Sequence, residues 1–597
     1  MAREVRISFP FGKGRSYDAA PEGDAIDETT APEVTRRERD VLVALCRPLK
    51  DDEVFTSPAS VHEIAGALVV TDAAVKQHLA HLYDKFEIRE AGAKRRLALA
   101  REAIRLQVVS LDDLRAAARA SEGSLAAGRE AVARHDWEVA FESLSAADAA
   151  EPLEPGDLEL LAEAALWADR HDASFAAGER AFQGYMRAGD RRRAAVVAVG
   201  LTIHCIARLD LAVAAGWYQK AQRLLEGEEG AREHGYLAVV TALFCEAEGD
   251  WAGVLDAADT ILEIATRDDD ADLEAVGLTF QGLVLSRRGD IAKGTRLLDE
   301  AMASAVGGGL SMLATGLVYC RMICACLDLL DYRRAAEWTD VVDRCRATTG
   351  MGGFPGDCRT HRVAVLIKRG AWDDGEREAL LACDEAQRFD LAHTGLASYE
   401  LGEIRLRRGD FDGADDAFKR AHELGFVPQP GLSLLRLARG DAAAAKSSIE
   451  TALRDPSLDR LARARLLPSY VEITLAAGGE GAARAAVAEL EEIAELYALP
   501  ALGAAASHAR GELELATGNA DEAAARLQSA YRLWQTVEAP YESARSRATL
   551  ADAHLKQRDL ESCSLELNAA ISMFERLGAL PDLERSRSRL SELVVSE

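Results

Sequence analysis

Gly409–Ala421 reads GDFDGADDAFKRA. Gly409 suits the left-handed end of one helix, and Asp410 suits the cap of the next. Ala414, four positions on, lets two helices approach closely. Phe418 and Ala421 continue the same face. This frame specifies a helical hairpin, and it recurs along the chain. Copies stand at Asp136/Ala140/Leu144/Ala147, Asp210/Ala214/Tyr218/Ala221, Asp290/Gly294/Leu298/Ala301, Asp441/Ala445/Ile449/Ala452, Asn519/Ala523/Leu527/Ala530 and Asp559/Cys563/Leu567/Ala570. Looser copies start at Asp172, Asp250, Asp331, Ala371 and Gly479. A single hairpin cannot bury its apolar face, so neighbours must stack into a solenoid. The expected fold class is all-α, with about twelve hairpins over residues 121–590. The step from Asp410 to Asp441 is the shortest and contains Val427-Pro428-Gln429-Pro430-Gly431, where an irregular joint is expected.

A different order holds near the N-terminus. Residues 1–33 are polar, with interspersed Gly and Pro, and read as a flexible leader. GKGRS at Gly12–Ser16 lacks the Gly spacing of a phosphate-binding loop. Thr35-Arg36-Arg37-Glu38 forms a capping box ahead of Val41, Leu42 and Leu45. Arg47–Ala59 is a connector. Ser60-Val61-His62-Glu63 is a second capping box, followed by Ile64, Ala65 and Leu68. Thr71 then caps a helix whose apolar face is Val75, Leu79, Leu82 and Phe86. Two short helices crossing over a tight turn make a helix-turn-helix. The outward face of the second helix holds Asp72, Ala73, Lys76, Gln77, Ala80 and His81. Lys76 suits a phosphate or guanine, and Gln77 an adenine edge. Lys94, Arg95 and Arg96 open a further helix to about Leu106 and are placed to grip phosphate.

Charge divides along the same line. Residues 1–107 hold 17 Lys+Arg against 18 Asp+Glu, net −1, which leaves −27 of the total −28 for the remainder. Val34–Gln107 has 13 against 11, a balance of +2. Phosphate would repel the acidic remainder, so any DNA contact belongs to the N-terminal part. Ten cysteines lack the dense, regular spacing of a disulfide scaffold, which points to a reducing cytoplasm. The first residues lack an apolar signal-peptide core, and no run has the ~20 apolar residues of a spanning helix.

TRRERDVLVAL (Thr35–Leu45), HEIAGAL (His62–Leu68) and VTDAAVKQHLAHLYDKF (Val70–Phe86) together resemble the LuxR-type DNA-binding domain. They are similar to the form found in actinobacterial regulators with a long first connector. The resemblance implies that Thr71–Phe86 is the recognition helix and that Thr71, Lys76 and Gln77 face DNA. Val69 stands where many members have a turn glycine, and Ala80 where a basic residue is common. Leu401-Gly402 ahead of Asp410 resembles the tetratricopeptide-repeat (TPR) signature, although the spacing here is mostly 38 to 41 residues rather than about 34. Leu297–Met302, Arg333–Thr339, Gln429–Asp441, Arg465–Ile473 and Ala539–Arg545 resemble the repeat region that accompanies LuxR-type domains.

Trp137, Trp251 and Trp372 each follow an anchor, where other repeats carry Leu211, Ile291, Tyr332 or Phe411. That equivalence makes them repeat core rather than a ligand cage. Cys320, Cys324, Cys326, Cys345, Cys358 and His361 lie within 42 residues. Cys320 and Cys324 share a helix face, and Cys358-x-x-His361 has a ligand-like spacing. Without paired CxxC knuckles they read as small buried residues, so no metal site and no cofactor is expected, and whether Cys320, Cys324, Cys358 and His361 form a redox or metal site stays open. Thr348–Asp357 is Gly-rich but lacks the Lys-Ser/Thr of a phosphate loop. No catalytic constellation stands out, and the chain is expected not to be an enzyme.

The sequence thus reads as a cytoplasmic, nucleoid-associated transcriptional regulator. Residues 34–118 form the DNA-binding domain, with Thr71, Ala73, Lys76, Gln77, His81, Lys94, Arg95 and Arg96 at the double-stranded DNA. The TPR-like domain, 121–590, takes a protein, peptide or small-molecule effector on its concave face. A homodimer is expected, because one short recognition helix reads few bases. The alternative is an acidic TPR-like adaptor whose helix-turn-helix no longer binds DNA.

Overall fold

A computed structural model of the chain describes residues 31–46, 48, 57–68, 70–91, 93–349, 357–386 and 391–596. Among these residues the structure is all-α, with 29 α-helices and no strand. Most of the leader, most of the Arg47–Ala59 connector, Val69 and residues 350–356 lie outside the described residues, as do the side chains of Cys345 and Cys358. The chain divides into two compact units: Met1–Ser124 with Ala146–Pro152, and Leu125–Ser145 with Leu153–Glu597.

The first unit contains α1 (Arg36–Cys46), α2 (Val61–Leu68), α3 (Asp72–Lys85) and α4 (Ala93–Arg105). Both capping boxes form. The Glu38 carboxylate accepts from the Thr35 amide at 2.7 Å, and the Glu63 carboxylate from the Ser60 amide at 2.6 Å. The reciprocal bonds to Thr35 Oγ1 and Ser60 Oγ are each 3.2 Å. Val41, Leu42, Leu45, Ile64, Val75, Leu79, Leu82 and Leu99 make one core. Burying such side chains contributes on the order of 1.5–3 kcal/mol each. Lys85, at the end of α3, reaches back to Glu38 on α1 at 2.7 Å. Burial pushes the Glu38 carboxyl up, but Lys85 and the Thr35 amide and hydroxyl bring it down to about 2. The next helix, α5 (Leu111–Ala133), runs through positions 118–121 without a break.

The second unit is a stack of helical hairpins. Eleven of the twelve expected anchors immediately precede the second helix of a hairpin. Asp172 is the exception. That helix is His171–Ala188 and its N-cap is Arg170. The frame there is Arg170/Ser174/Gly178/Ala181, with the last three buried. The backbone shows why this is the register. The residue before each anchor is left-handed in all twelve hairpins: Gly at 249, 289, 370, 409, 440, 478 and 518, and His135, Asp169, Leu209, Leu330 and Arg558 elsewhere. Asp169 precedes Arg170, not Asp172.

The anchors cap unevenly. Asp250, Asp290, Asp331, Asp410, Asp441 and Asp559 accept from the backbone amide three residues on, at 2.9–3.2 Å. Asp210 and Asn519 make no such bond. Asp210 instead lies 3.5 Å from Arg208, and the Asn519 amide donates to Glu514 at 3.2 Å. The small residues do what the frame requires. A Cβ on Gly402 would come within 2.5 Å of the Phe418 ring, so this position admits the ring only as glycine. Trp137 and Trp372 are buried in the core, and Trp251 is partly buried against it. At the short step, helix Gly431–Ala438 has only 8 residues and follows a cis Gln429–Pro430 bond.

The stack closes on itself. Gly249 meets Ser457, Gly289 meets Leu496 and Gly370 meets Leu577, pairs 207 or 208 positions apart. Each of these three turns thus rests on the hairpin five places further along. The Arg287 guanidinium binds Asp328 and Asp459 and covers the Trp251 ring at 4.1 Å. The Tyr497 hydroxyl donates to the Arg287 carbonyl. The inner side of the solenoid is therefore a walled lumen rather than an open concave face.

Candidate functional site

Each unit presents one candidate. In the first, α3 is divided lengthwise. Val75, Leu79 and Leu82 are buried, whereas Thr71, Ala73, Lys76, Gln77 and His81 are exposed. Thr71 is the N-cap, and its hydroxyl accepts from the Ala74 amide at 3.3 Å. Asp72 shares this exposed end and lies 3.5 Å from His62. Lys94 is exposed at the start of α4. Arg95 and Arg96 are half-buried, and the Arg95 guanidinium stacks 4.2 Å above the Tyr83 ring. Of the eight residues expected at DNA, six are thus fully presented, and two lie against the protein.

The second candidate escaped the sequence reading. A cavity of about 1000 Å³ occupies the lumen. Its wall comes chiefly from the first helices of successive hairpins, between Glu246 and Arg545, and from the last helix, Leu580–Ser596. The positions follow one rule. Arg321, Cys324 and Asp328 lie 10, 7 and 3 residues before Asp331. His361, Ala364 and Lys368 have the same offsets from Ala371, and Glu400, Glu403 and Arg407 from Asp410. Leu396, and Arg465 before Gly479, extend the face to an offset of 14. Steps of four, three and four residues trace a single helix face. Polar residues at these offsets are the signal from which the cavity could have been read.

The lining alternates in charge and is densely paired. Arg545 binds Glu472 at 2.7 Å, Arg407 binds Glu403 at 3.1 Å, and Lys368 lies 3.6 Å from Glu542. Tyr399 donates to Glu403 at 3.2 Å, and Tyr541 to Asp582 at 2.9 Å. The Arg407 guanidinium covers the Tyr541 ring at 4.8 Å. Glu542 is held below its ordinary range: burial pushes its carboxyl up, but Lys368 and Arg407 outweigh it. Glu400 goes the other way. Burial, followed by the neighbouring Glu403 charge, pushes it up to about 7. Arg465 retains half of its side-chain surface, with Asp328 at 3.5 Å. A wall with both charges and several phenol rings suits a ligand bearing donors and acceptors.

One corner of this wall joins residues from the cysteine-rich segment. Cys320 and Cys324, on helix Met312–Asp328, meet His361 on helix Asp357–Lys368. The Cys320 sulfur lies 3.7 Å from His361 Nδ1, and the Cys324 sulfur 3.0 Å from Nε2. The Cys324 thiol is held well below its usual range by the hydrogen bond with Cys320, against the effect of burial and with help from His361. Cys326 belongs to the core, and burial pushes its thiol up.

No family model matches the chain, and no curated protein sequence matches it. Solved structures do. The APC/C hetero-tetramer Cut9-Hcn1 matches with 12% identity over 78% of this chain and 96% of that one, at a TM-score of 0.33. Yeast Tom70 matches with 13% identity over 79% and 96%, at 0.24. A Rap protein complexed with competence and sporulation factor matches with 12% identity over 64% and 98%, at 0.33. Among the described residues no helix is long and apolar enough to cross a membrane.

Proposed function

We propose that the protein is a DNA-binding transcriptional regulator with an effector site in its solenoid. Residues 34–118 form the DNA-reading domain and residues 121–590 the effector domain. The observation that carries this reading is the division of α3, whose buried face holds Val75, Leu79 and Leu82 while Lys76, Gln77 and His81 are free. A helix with its N-terminal end and one polar face exposed is the element that enters a major groove. Lys76 then takes phosphate or guanine and Gln77 an adenine edge. Thr71 and Lys94 add backbone contacts. Two copies pair on DNA, since one helix of this length reads few bases. The protein works in the cytoplasm, on the nucleoid.

The effector is a polar small molecule or short peptide, because a cavity of about 1000 Å³ holds a ligand of that size. Binding there draws together hairpins far apart in sequence and changes how the DNA-reading domains pair.

Capture of genomic fragments by the full-length protein at two salt concentrations tests the DNA reading. Selective capture that disappears in the Lys76→Ala/Gln77→Ala variant is the expected result. Capture unchanged in that variant, or no selective capture at low salt even with cell extract added, overturns it. One observation favours a second reading, an acidic adaptor whose N-terminal unit contacts protein. Arg95 is engaged by the Tyr83 ring and Arg96 is half-buried, which lowers the cationic surface open to phosphate.

A further inference from the structure

We propose that Cys320, Cys324 and His361 bind one zinc ion through two thiolates and one imidazole nitrogen, with the fourth position open to the lumen.

The three donor side chains lie within reach of a single ion. Zn–S bonds of about 2.3 Å and a Zn–N bond of about 2.0–2.1 Å give edges of about 3.6 Å between ligand atoms. Nδ1 of His361 lies 3.7 Å from the Cys320 sulfur and 4.0 Å from the Cys324 sulfur, whereas Nε2 lies 3.0 Å from the Cys324 sulfur, so the imidazole turns to exchange that hydrogen bond for a bond to the ion. The three ligand atoms all fall within 4.8 Å of one another. Cys324 and His361 both line the lumenal cavity, which supplies room for water or a ligand group at the fourth position. Among the described residues the site has three protein ligands, and three ligands with an open place is the arrangement of a reactive zinc site rather than a closed structural one.

A disulfide is the natural competitor, and helix geometry opposes it. Cys320 and Cys324 are four residues apart on one helix, so their Cβ atoms are about 5–6 Å apart. A disulfide needs about 3.5–4.5 Å. The helix would have to unwind to form it, whereas a metal ion between the sulfurs leaves it intact. Charge points the same way. Zinc displaces the two thiol protons to solvent and forms two Zn–S bonds, so the divalent ion and two thiolates sum to zero in a buried corner. Arg321, between the two cysteines in sequence, already has Glu246 at 2.5 Å. The His393 ring stands edge-on to His361 at 5.9 Å. The ion would join the first helices of two consecutive hairpins.

The test uses the full-length protein, reduced and stripped with a chelator, then loaded with Co²⁺ and afterwards with Zn²⁺. One Co²⁺ per chain is expected, with thiolate-to-metal charge-transfer absorption and the visible bands of a tetrahedral ion, both erased by Zn²⁺. Cys320→Ser/Cys324→Ser abolishes the signal. His361→Ala weakens binding by at least the roughly 10–100-fold that loss of an outer-shell partner costs. Zinc that stays bound in the double Ser variant overturns the proposal. So does a parent spectrum without thiolate charge transfer, or a Cys320–Cys324 disulfide in the isolated chain. If the variants misfold, the parent Co²⁺ spectrum decides alone, since it reports sulfur ligation without any substitution. No step involves DNA, so failure here is separate from failure of the regulatory reading.

Discussion

Arg287 and Asp459 meet at 2.5 Å across 172 positions of the chain. Arg287 ends the first helix of one hairpin, and Asp459 caps the helix Arg460–Ala476, accepting from the Ala462 amide at 2.8 Å. One carboxylate thus starts a helix and locks a superhelical turn onto the turn before it. Both side chains are mostly buried, at 14% and 18% exposure. Arg287→Ala leaves Asp459 without its cation and Asp328 with only Arg465, and uncovers Trp251. Removing one partner of a buried pair costs about 3–5 kcal/mol. Thermal melting should show a loss of this order, whereas Arg526→Ala, which removes an exposed pair within one helix, should change it by less than about 0.5 kcal/mol.

The left-handed turns give a second prediction. Arg558 sits at φ 64° where most repeats have glycine, and its side chain is exposed. Arg558→Gly relieves a conformation that L-residues disfavour and should stabilise by about 0.5–1 kcal/mol. Gly370→Ala should do the reverse. Its φ is 79°, and the new Cβ would sit 2.5 Å from Leu577 on the overlying turn. Urea midpoints of the two variants should move in opposite directions, and equal shifts would rule out the left-handed turn as the cause.

The anchors were legible because a hairpin is a local object: turn, cap and small residue lie within a dozen positions. Asp172 misled because Asp169 adopts the left-handed turn without being glycine and Arg170 occupies the cap without a capping side chain. The walled lumen was not legible. Gly249 against Ser457 is a contact between distant turns, and nothing local encodes it. Of the cavity residues, Arg321 stands alone in an otherwise apolar stretch, whereas Glu400 and Arg465 sit in helices with several other charges. Their common offset from the anchors emerges only once the first helices are known to face inward. Cys320 and Cys324 were correctly placed on one helix face, but the approach of His361 depends on how two hairpins pack.

Glu400 gives a pH prediction. Burial and the adjacent Glu403 charge raise its carboxyl from 4.5 to about 7. Between these values the folded chain binds more protons at this site than the unfolded chain, so stability falls as pH rises from about 4.5 to 7 and levels off above. The penalty at high pH is on the order of 3 kcal/mol. Glu400→Gln stays neutral throughout. The variant should gain stability over the parent at pH 8 and lose that advantage at pH 5. Parallel melting curves at both values would mean that Glu400 does not titrate in this range.

Lys76 and Gln77 are neighbours on the exposed face of α3, yet their replacement should differ in kind. Lys76 carries a charge and makes no ion pair among the described residues, so on the proposed DNA it suits phosphate or guanine. At a phosphate, Lys76→Ala weakens binding to all sequences alike and lowers the slope of log affinity against log salt by about 1. Gln77 is neutral and contributes no counterion release. If it pairs with adenine, Gln77→Ala costs about 1–3 kcal/mol on the preferred sequence, little on random DNA, and leaves the salt slope unchanged. Titrations of parent and single variants against selected and random duplexes separate the two. Should Lys76→Ala abolish sequence preference with an unchanged slope, Lys76 reads a guanine and the helix sits deeper in the groove. If neither substitution alters affinity, α3 is not the element that touches DNA.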